Sequence, residues 1–361
     1  MTEKEYWLGF SIFPGIGPQR FDKLLEHFGS AKQIWEADDS ALSPLLGKAL
    51  TPQFIAFRKT FSLAGYITAL EKKQVSFVTL AEEAYPQQLK AIPNPPFVLY
   101  LRGDIAVLKQ SDTLISIVGA RAVTSYGKEV TRIITTELVQ AGCVIVSGLA
   151  MGVDAIAHAT TVENNGKTIA VLGCGVDCCY PTINESLYNS ILANGGVIIS
   201  EFPLGAPPSK GSFPSRNRII AGLSTGVVVT EGAEDSGTLI TADFAQKFGR
   251  NVFAVPGPIT SQLSKGPYKL IAKGATLVTS GKDILGELGI MNNELRKSKI
   301  HHGDTPEEQM IIDLLANEPL AIDALVRRTN TPSAAMGSIL SVMELKAMII
   351  RDPSGSYRLS T

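Results

Sequence analysis

Six short apolar runs recur between residues 114 and 257: LISIVG, VIVSG, TIAVLG, GVIIS, VVVT and VFAVPG. Each is rich in β-branched residues and has almost no polar side, the pattern of strands covered on both faces. Amphipathic segments such as Gly127–Gln140 and Glu185–Ala193 separate them. Strand–helix alternation with short turns admits few solutions, chiefly a parallel sheet with helices on both sides. Ligands of such sheets sit beyond the carboxyl ends of the strands, near the point where strand order reverses. Gly119, Arg121, Ser147, Gly148 and Glu231 all fall at these strand ends.

The flanks read differently. Residues 1–75 carry Leu8, Ile12, Phe21, Leu24, Leu25 and Phe28 at helical spacing. Inside this segment PGIGPQR, Pro14 to Arg20, reads equally as a turn that admits a phosphate and as a plain corner between helices. The stretch from Tyr85 to Gly103 leads to a strand near Val98. A core over 76–290 follows, then a polar linker over 291–305. Residues 306–361 predict three helices, over Ile311–Leu315, Ala321–Arg328 and Ser333–Lys346. A hairpin of Met348–Arg351 and Ser356–Leu359 would complete a winged helix. Its candidate recognition helix has few cations, which argues against strong duplex binding.

Composition narrows the functional classes. The formal net charge is −1, so any polyanion must be held by local charge rather than by an overall basic surface. No apolar run reaches the roughly 18 residues of a membrane span. MTEKEYWLGF lacks a basic region followed by an apolar stretch, so a cytoplasmic location is expected. Cys174, Cys178 and Cys179 lie close together, but without CxxC spacing or a nearby histidine they read as packed thiols, with Cys143. His301 and His302 stand in the linker with no metal role, and no cofactor is expected.

The densest chemistry lies in FPSRNRIIAGLSTGVVVTEGAEDSGTLITADFA, residues 213–245. Arg216, Asn217 and Arg218 precede a helical run, and Ser236, Gly237 and Thr238 open the helix after the next strand. A glycine turn at a helix N-terminus offers N–H groups and a positive dipole end to phosphate, and arginines supply forked cations. In IVGAR, Gly119 would admit a phosphate and Arg121 would pair with it. In SGLAMGVDAIAH, Ser147 and Gly148 could donate to an anion. Asp154 and His158 are four apart on a helix, more in keeping with a cap or packing pair than with acid–base catalysis. Tyr180 and Phe213 read equally as base-stacking rings and as core. GCGVD lacks the third glycine of a dinucleotide fingerprint, and no GxxxxGK[ST] occurs.

In order and spacing, IVGAR, SGLAMGVDAIAH, TIAVLGCGVD with Tyr180-Pro181, SEFPLG, FPSRNRIIAGLS, SGTLITADFA, GRNVFAVPG and LIAKGA resemble the DNA-processing protein A (DprA/Smf) family over roughly residues 80–280. The resemblance implies an extended Rossmann-like core between an N-terminal helical domain and a C-terminal winged-helix domain. It implies a non-enzymatic recombination mediator in natural transformation. Such a protein binds single-stranded DNA, protects it, loads a RecA-type recombinase and displaces single-strand-binding protein. Carried onto this chain, the DNA pocket would use Gly119, Arg121, Ser147, Gly148, Arg216, Asn217 and Arg218. Ser236, Gly237 and Thr238 would shape its floor. A homodimer would form near Leu270 and Ile271. Tyr268 stands where the family has asparagine, and Cys178 and Cys179 where a basic residue would aid DNA binding.

Two other classes compete. A Rossmann-like nucleotide-hydrolysing enzyme would need a glutamate after the SGT turn, where this chain has Thr241 and Ala242. A winged-helix transcription regulator would need a more basic recognition helix.

Overall fold

The structure, a computed structural model, describes residues 1–110, 113–290, 303–315, 318–346, 348–352 and 355–359. They form two compact units, Met1–Ile290 and Met291–Thr361.

In the first unit the strands are β1 (Val75–Thr79), β2 (Val98–Gly103), β3 (Leu114–Val118), β4 (Val144–Ser147), β5 (Thr168–Val171), β6 (Val197–Ser200), β7 (Gly226–Val229), β8 (Asn251–Ala254) and β9 (Thr276–Leu277). They form one sheet in the order β1-β2-β6-β5-β4-β3-β7-β8-β9. From β6 to β9 every pairing is parallel, and β2 runs antiparallel to both its neighbours. The six expected runs are β3 to β8. Every residue of β3, β4, β5, β6 and β7 is buried, which is why their sequences lack a polar alternation.

Strand order reverses at β3. Strands β4, β5 and β6 lie to one side of it and β7, β8 and β9 to the other. The carboxyl ends of β3 and β7 thus diverge into helices on opposite faces and leave a crevice between them.

The helices before Val75 share a core with the sheet. Phe10, Phe21, Leu24 and Phe54 belong to one buried cluster with Phe97, Tyr100, Leu172 and Ile198. The PGIGPQR turn joins the helices Glu3–Ile12 and Pro18–Phe28, and the Arg20 guanidinium closes it by donating to the Gly15 carbonyl.

The second unit has helices Pro306–Leu315, Ile322–Thr329 and Ser333–Leu345. Strands β10 (Leu320–Ala321), β11 (Ile349–Arg351) and β12 (Ser356–Leu359) form a sheet in the order β10-β12-β11. The expected wing is present, and Leu320–Ala321 adds a third strand, so the helix expected from Ala321 starts at Ile322. Leu325, Met336, Leu340, Met343 and Ile349 make the core. The two histidines of the linker lie outside the described residues.

Candidate nucleic-acid interface

A cavity of about 700 Å³ opens at the reversal point. Gly119 and Arg121 line it from the end of β3, and Ser236, Gly237 and Thr238 from the far side. Phe213, Arg216 and Asn217 line it from the helix Ser212–Leu223, where i, i+3, i+4 spacing puts them on one face. A smaller adjoining pocket of about 50 Å³ is lined by Gly148, Met151, Tyr180 and Arg121.

The loop after β3 is fixed by Glu231. Its backbone carbonyl accepts the Ala120 N–H at 2.8 Å. Its buried carboxylate accepts the N–H and hydroxyl of Thr124 at 2.9 and 2.6 Å, which anchors the start of the helix Ser125–Gln140. Arg121, on the intervening loop, is exposed. Its guanidinium carbon stands 5.7 Å from the Phe213 ring centroid. Tyr180 is 45% exposed, and its ring lies 5.5 Å from that of Phe213. The two aromatic rings are therefore cleft walls, and Tyr180 is no core residue. Across the cavity Ser236 caps the helix Gly237–Lys247 by accepting the Thr238 N–H at 3.2 Å. That places a positive helix end beside the cleft.

The arginines of SRNR divide. Arg216 is only 5% exposed and forms the cavity floor. It donates to the carbonyls of Gly148 and of Val171, the latter at 2.6 Å, with Asp154 as its counter-charge. Arg218 does not line the cavity among the described residues and pairs with Glu201 instead.

The expected donors after β4 are also engaged internally. The Ser147 hydroxyl donates to the Ile117 carbonyl at 2.7 Å, and the Gly148 N–H to Asp154 at 3.1 Å. Neither is offered to a ligand. Gly148 is required for another reason: a Cβ there would lie 1.8 Å from the Arg216 guanidinium. Donors at strand ends are visible in the sequence, whereas the acceptors that neighbouring elements bring to them are not. Lys210, an exposed lysine on the cavity three residues before Phe213, stands outside the motifs that mark the cleft in the sequence. Extending the basic motif backwards by one loop finds it.

Asp154 and His158 do not form a dyad. The His158 Nδ1 lies 2.7 Å from the Thr168 hydroxyl. Burial and then the charge of Arg216 push its imidazole down to about 3. The native histidine is therefore neutral, while the unfolded chain binds a proton below an ordinary value of 6.5. Stability rises with pH across that window. Going from pH 7 to pH 5 is expected to cost about 2 kcal/mol through this residue alone. Urea titrations at the two pH values measure it, and His158→Gln is expected to flatten the difference.

Leu270 is 1% exposed and packs into the core of its own chain, leaving Ile271 as the partly exposed member of the pair. The Tyr268 hydroxyl donates to the Gly257 carbonyl. Cys143 and Cys174 are buried, Cys178 and Cys179 partly so. No helix among the described residues is long and apolar enough to cross a membrane.

This architecture has known relatives. Protein Smf of Synechocystis is 34% identical across 99% of both chains. The X-ray structure of DNA processing protein A from Streptococcus pneumoniae aligns with a TM-score of 0.68 at 35% identity, covering 80% of this chain and 98% of that one. The Helicobacter pylori DNA processing protein A, whose structure is described for its unique single-stranded DNA binding mode, aligns with a TM-score of 0.54 at 33% identity, covering 60% of this chain and 95% of that one. Residues 299–355 match the DprA winged helix domain. Residues 76–289 match the family described as DNA recombination-mediator protein A, and by that match the chain belongs to it.

Proposed function

We propose that this chain binds single-stranded DNA in the cleft at the ends of β3 and β7 and acts there as a recombination mediator. One juxtaposition carries the reading: exposed Arg121 and Lys210, a helix N-terminus and the Tyr180–Phe213 ring pair face one cavity. Cations and N–H groups suit phosphates, and open rings suit bases that are not already stacked in a duplex. The Helicobacter relative's single-stranded DNA binding supports the same ligand.

Bound strand would be shielded from nucleases and passed to a RecA-type recombinase as single-strand-binding protein is displaced, serving natural transformation. A homodimer through the neighbourhood of Ile271 would double the cleft and raise avidity on a long strand. A cytoplasmic location fits this role. Binding is favoured over nucleotide hydrolysis because Thr241 lines the cavity where that chemistry needs a carboxylate, and the Glu231 carboxylate is engaged by Thr124.

Fluorescence anisotropy with labelled oligo-dT and a duplex of equal length, over a salt series, tests the proposal. The single strand is expected to bind at least about tenfold tighter, with log K falling linearly in log salt. Equal affinity for duplex, or binding insensitive to salt, would overturn it. Recombinase loading onto strands coated with single-strand-binding protein tests the mediator step separately.

A further inference from the structure

We infer that Glu201, which lies outside the cleft, is a positioning residue for it: it holds the back of the helix Ser212–Leu223 so that Phe213 and Arg216 face the ligand, and it ties that helix to the N-terminal helices. The inference rests on the DNA-binding reading above.

Phe213, Arg216 and Asn217 face the cavity, and Ser215 and Arg218 lie on the other side of the same helix. Both of these contact Glu201. The Ser215 hydroxyl donates to Glu201 Oε1 at 2.8 Å, and the Arg218 guanidinium pairs with Oε2. The charged side chains are only 13% and 14% exposed. A pair this sheltered costs much to break from one side, because the partner is left as a buried lone charge. The contact to Glu201 is made by Arg218 Nη2, and the buried Nη1 has no hydrogen-bond partner among the described residues, so Glu201 is what holds the guanidinium.

Glu201 opens a loop that is itself fastened. The Leu204 N–H donates to the Tyr66 hydroxyl at 2.9 Å, and the Gly205 N–H to Asp177 at 2.9 Å. Asp177 pairs with Lys73 at 2.5 Å. Tyr66 lies in the helix Leu63–Lys72 and Lys73 caps it. Contacts thus run without a gap from that helix through the loop and Glu201 to the cleft wall.

The sign of one substitution separates positioning from simple charge. Glu201 is an anion near a polyanion site, so electrostatics alone predicts tighter DNA binding in Glu201→Gln. Positioning predicts the reverse. We expect oligo-dT affinity to fall about tenfold with the salt slope little changed, because this helix brings the Phe213 ring to the cleft and no exposed cation. Neutralising both partners, Glu201→Gln with Arg218→Met, is expected to restore affinity to within about threefold of wild type, since no lone charge remains. Tyr66→Phe, which removes only the hydroxyl behind the loop, is expected to weaken binding about twofold. A merely structural role would lower the active fraction without changing the affinity of the folded protein.

Thermal melts establish which variants are folded. Glu201→Gln binding as tightly as wild type or tighter overturns the inference, as does a double variant no better than the single. If Glu201→Gln is unfolded at the assay temperature, wild-type affinity in Tyr66→Phe overturns it. Failure of the wild-type protein itself to bind oligo-dT is a separate outcome that removes the DNA-binding reading.

Discussion

Arg216→Ala is expected to lower the unfolding free energy of the 1–290 unit by about 3–5 kcal/mol, while Arg121→Ala changes it by less than about 0.5 kcal/mol. The residues are both arginines of the same cleft, yet their surroundings differ. Arg121 is exposed and stands over a ring. Arg216 is the buried counter-charge of Asp154 and satisfies two backbone carbonyls. Without it a buried carboxylate loses its cation. Urea denaturation measures both variants, and a loss under about 1 kcal/mol for Arg216→Ala would show that the buried guanidinium is not what holds the floor.

The pH dependence supplies a second reading of the same prediction. Burial pushes the Asp154 carboxyl above its ordinary range, and the charge of Arg216 opposes that push. In Arg216→Ala the opposition is gone, so the native carboxyl titrates higher still. A folded state that takes up its proton before the unfolded chain loses stability as pH rises through the interval between the two values. The penalty is therefore expected to be smaller at pH 5 than at pH 8. Asp154→Asn in the Arg216→Ala background is expected to recover part of the loss at pH 8 and to reduce this trend, the remainder coming from His158, whose imidazole Arg216 also pushes down.

These contrasts mark what could be read in the residues beforehand. Strands β3 to β8 were legible because burial on both faces writes an unbroken apolar run. Strand β1 was not, because Val75–Thr79 is half-exposed in pattern and follows directly on helical sequence. Strand β9 has only two residues, too short for any periodicity. In the cleft, Arg121 was legible because a residue just beyond a strand end has few places to go. The fates of Arg216 and Arg218 were not, since Asp154 and Glu201 reach them from separate turns of the chain. Ser147 and Gly148 misled for the same reason: Ile117 and Asp154 take their hydrogen bonds. Local sequence names the groups that can bind, and tertiary pairing decides which remain available.

Arg121→Ala and Phe213→Ala are expected to weaken oligo-dT binding by comparable amounts, about tenfold or more each, but through different physics. Loss of a phosphate contact at Arg121 should shorten the salt slope by about one, so the defect shrinks as salt rises. Lys210→Ala should behave in the same way. Loss of a stacking ring at Phe213 removes about 1–3 kcal/mol that does not depend on counterions, leaving the slope unchanged. The two are not independent, because the Arg121 guanidinium carbon lies 5.7 Å from the Phe213 centroid. Removing the ring also removes a support for the cation, so the double variant should lose less than the two singles together, by about 0.5–1 kcal/mol. Anisotropy titrations of the four proteins at three salt concentrations separate these terms. If Phe213→Ala flattened the slope and Arg121→Ala left it alone, the assignment of charge to one residue and stacking to the other would be wrong. The cleft would then hold the strand in some other orientation.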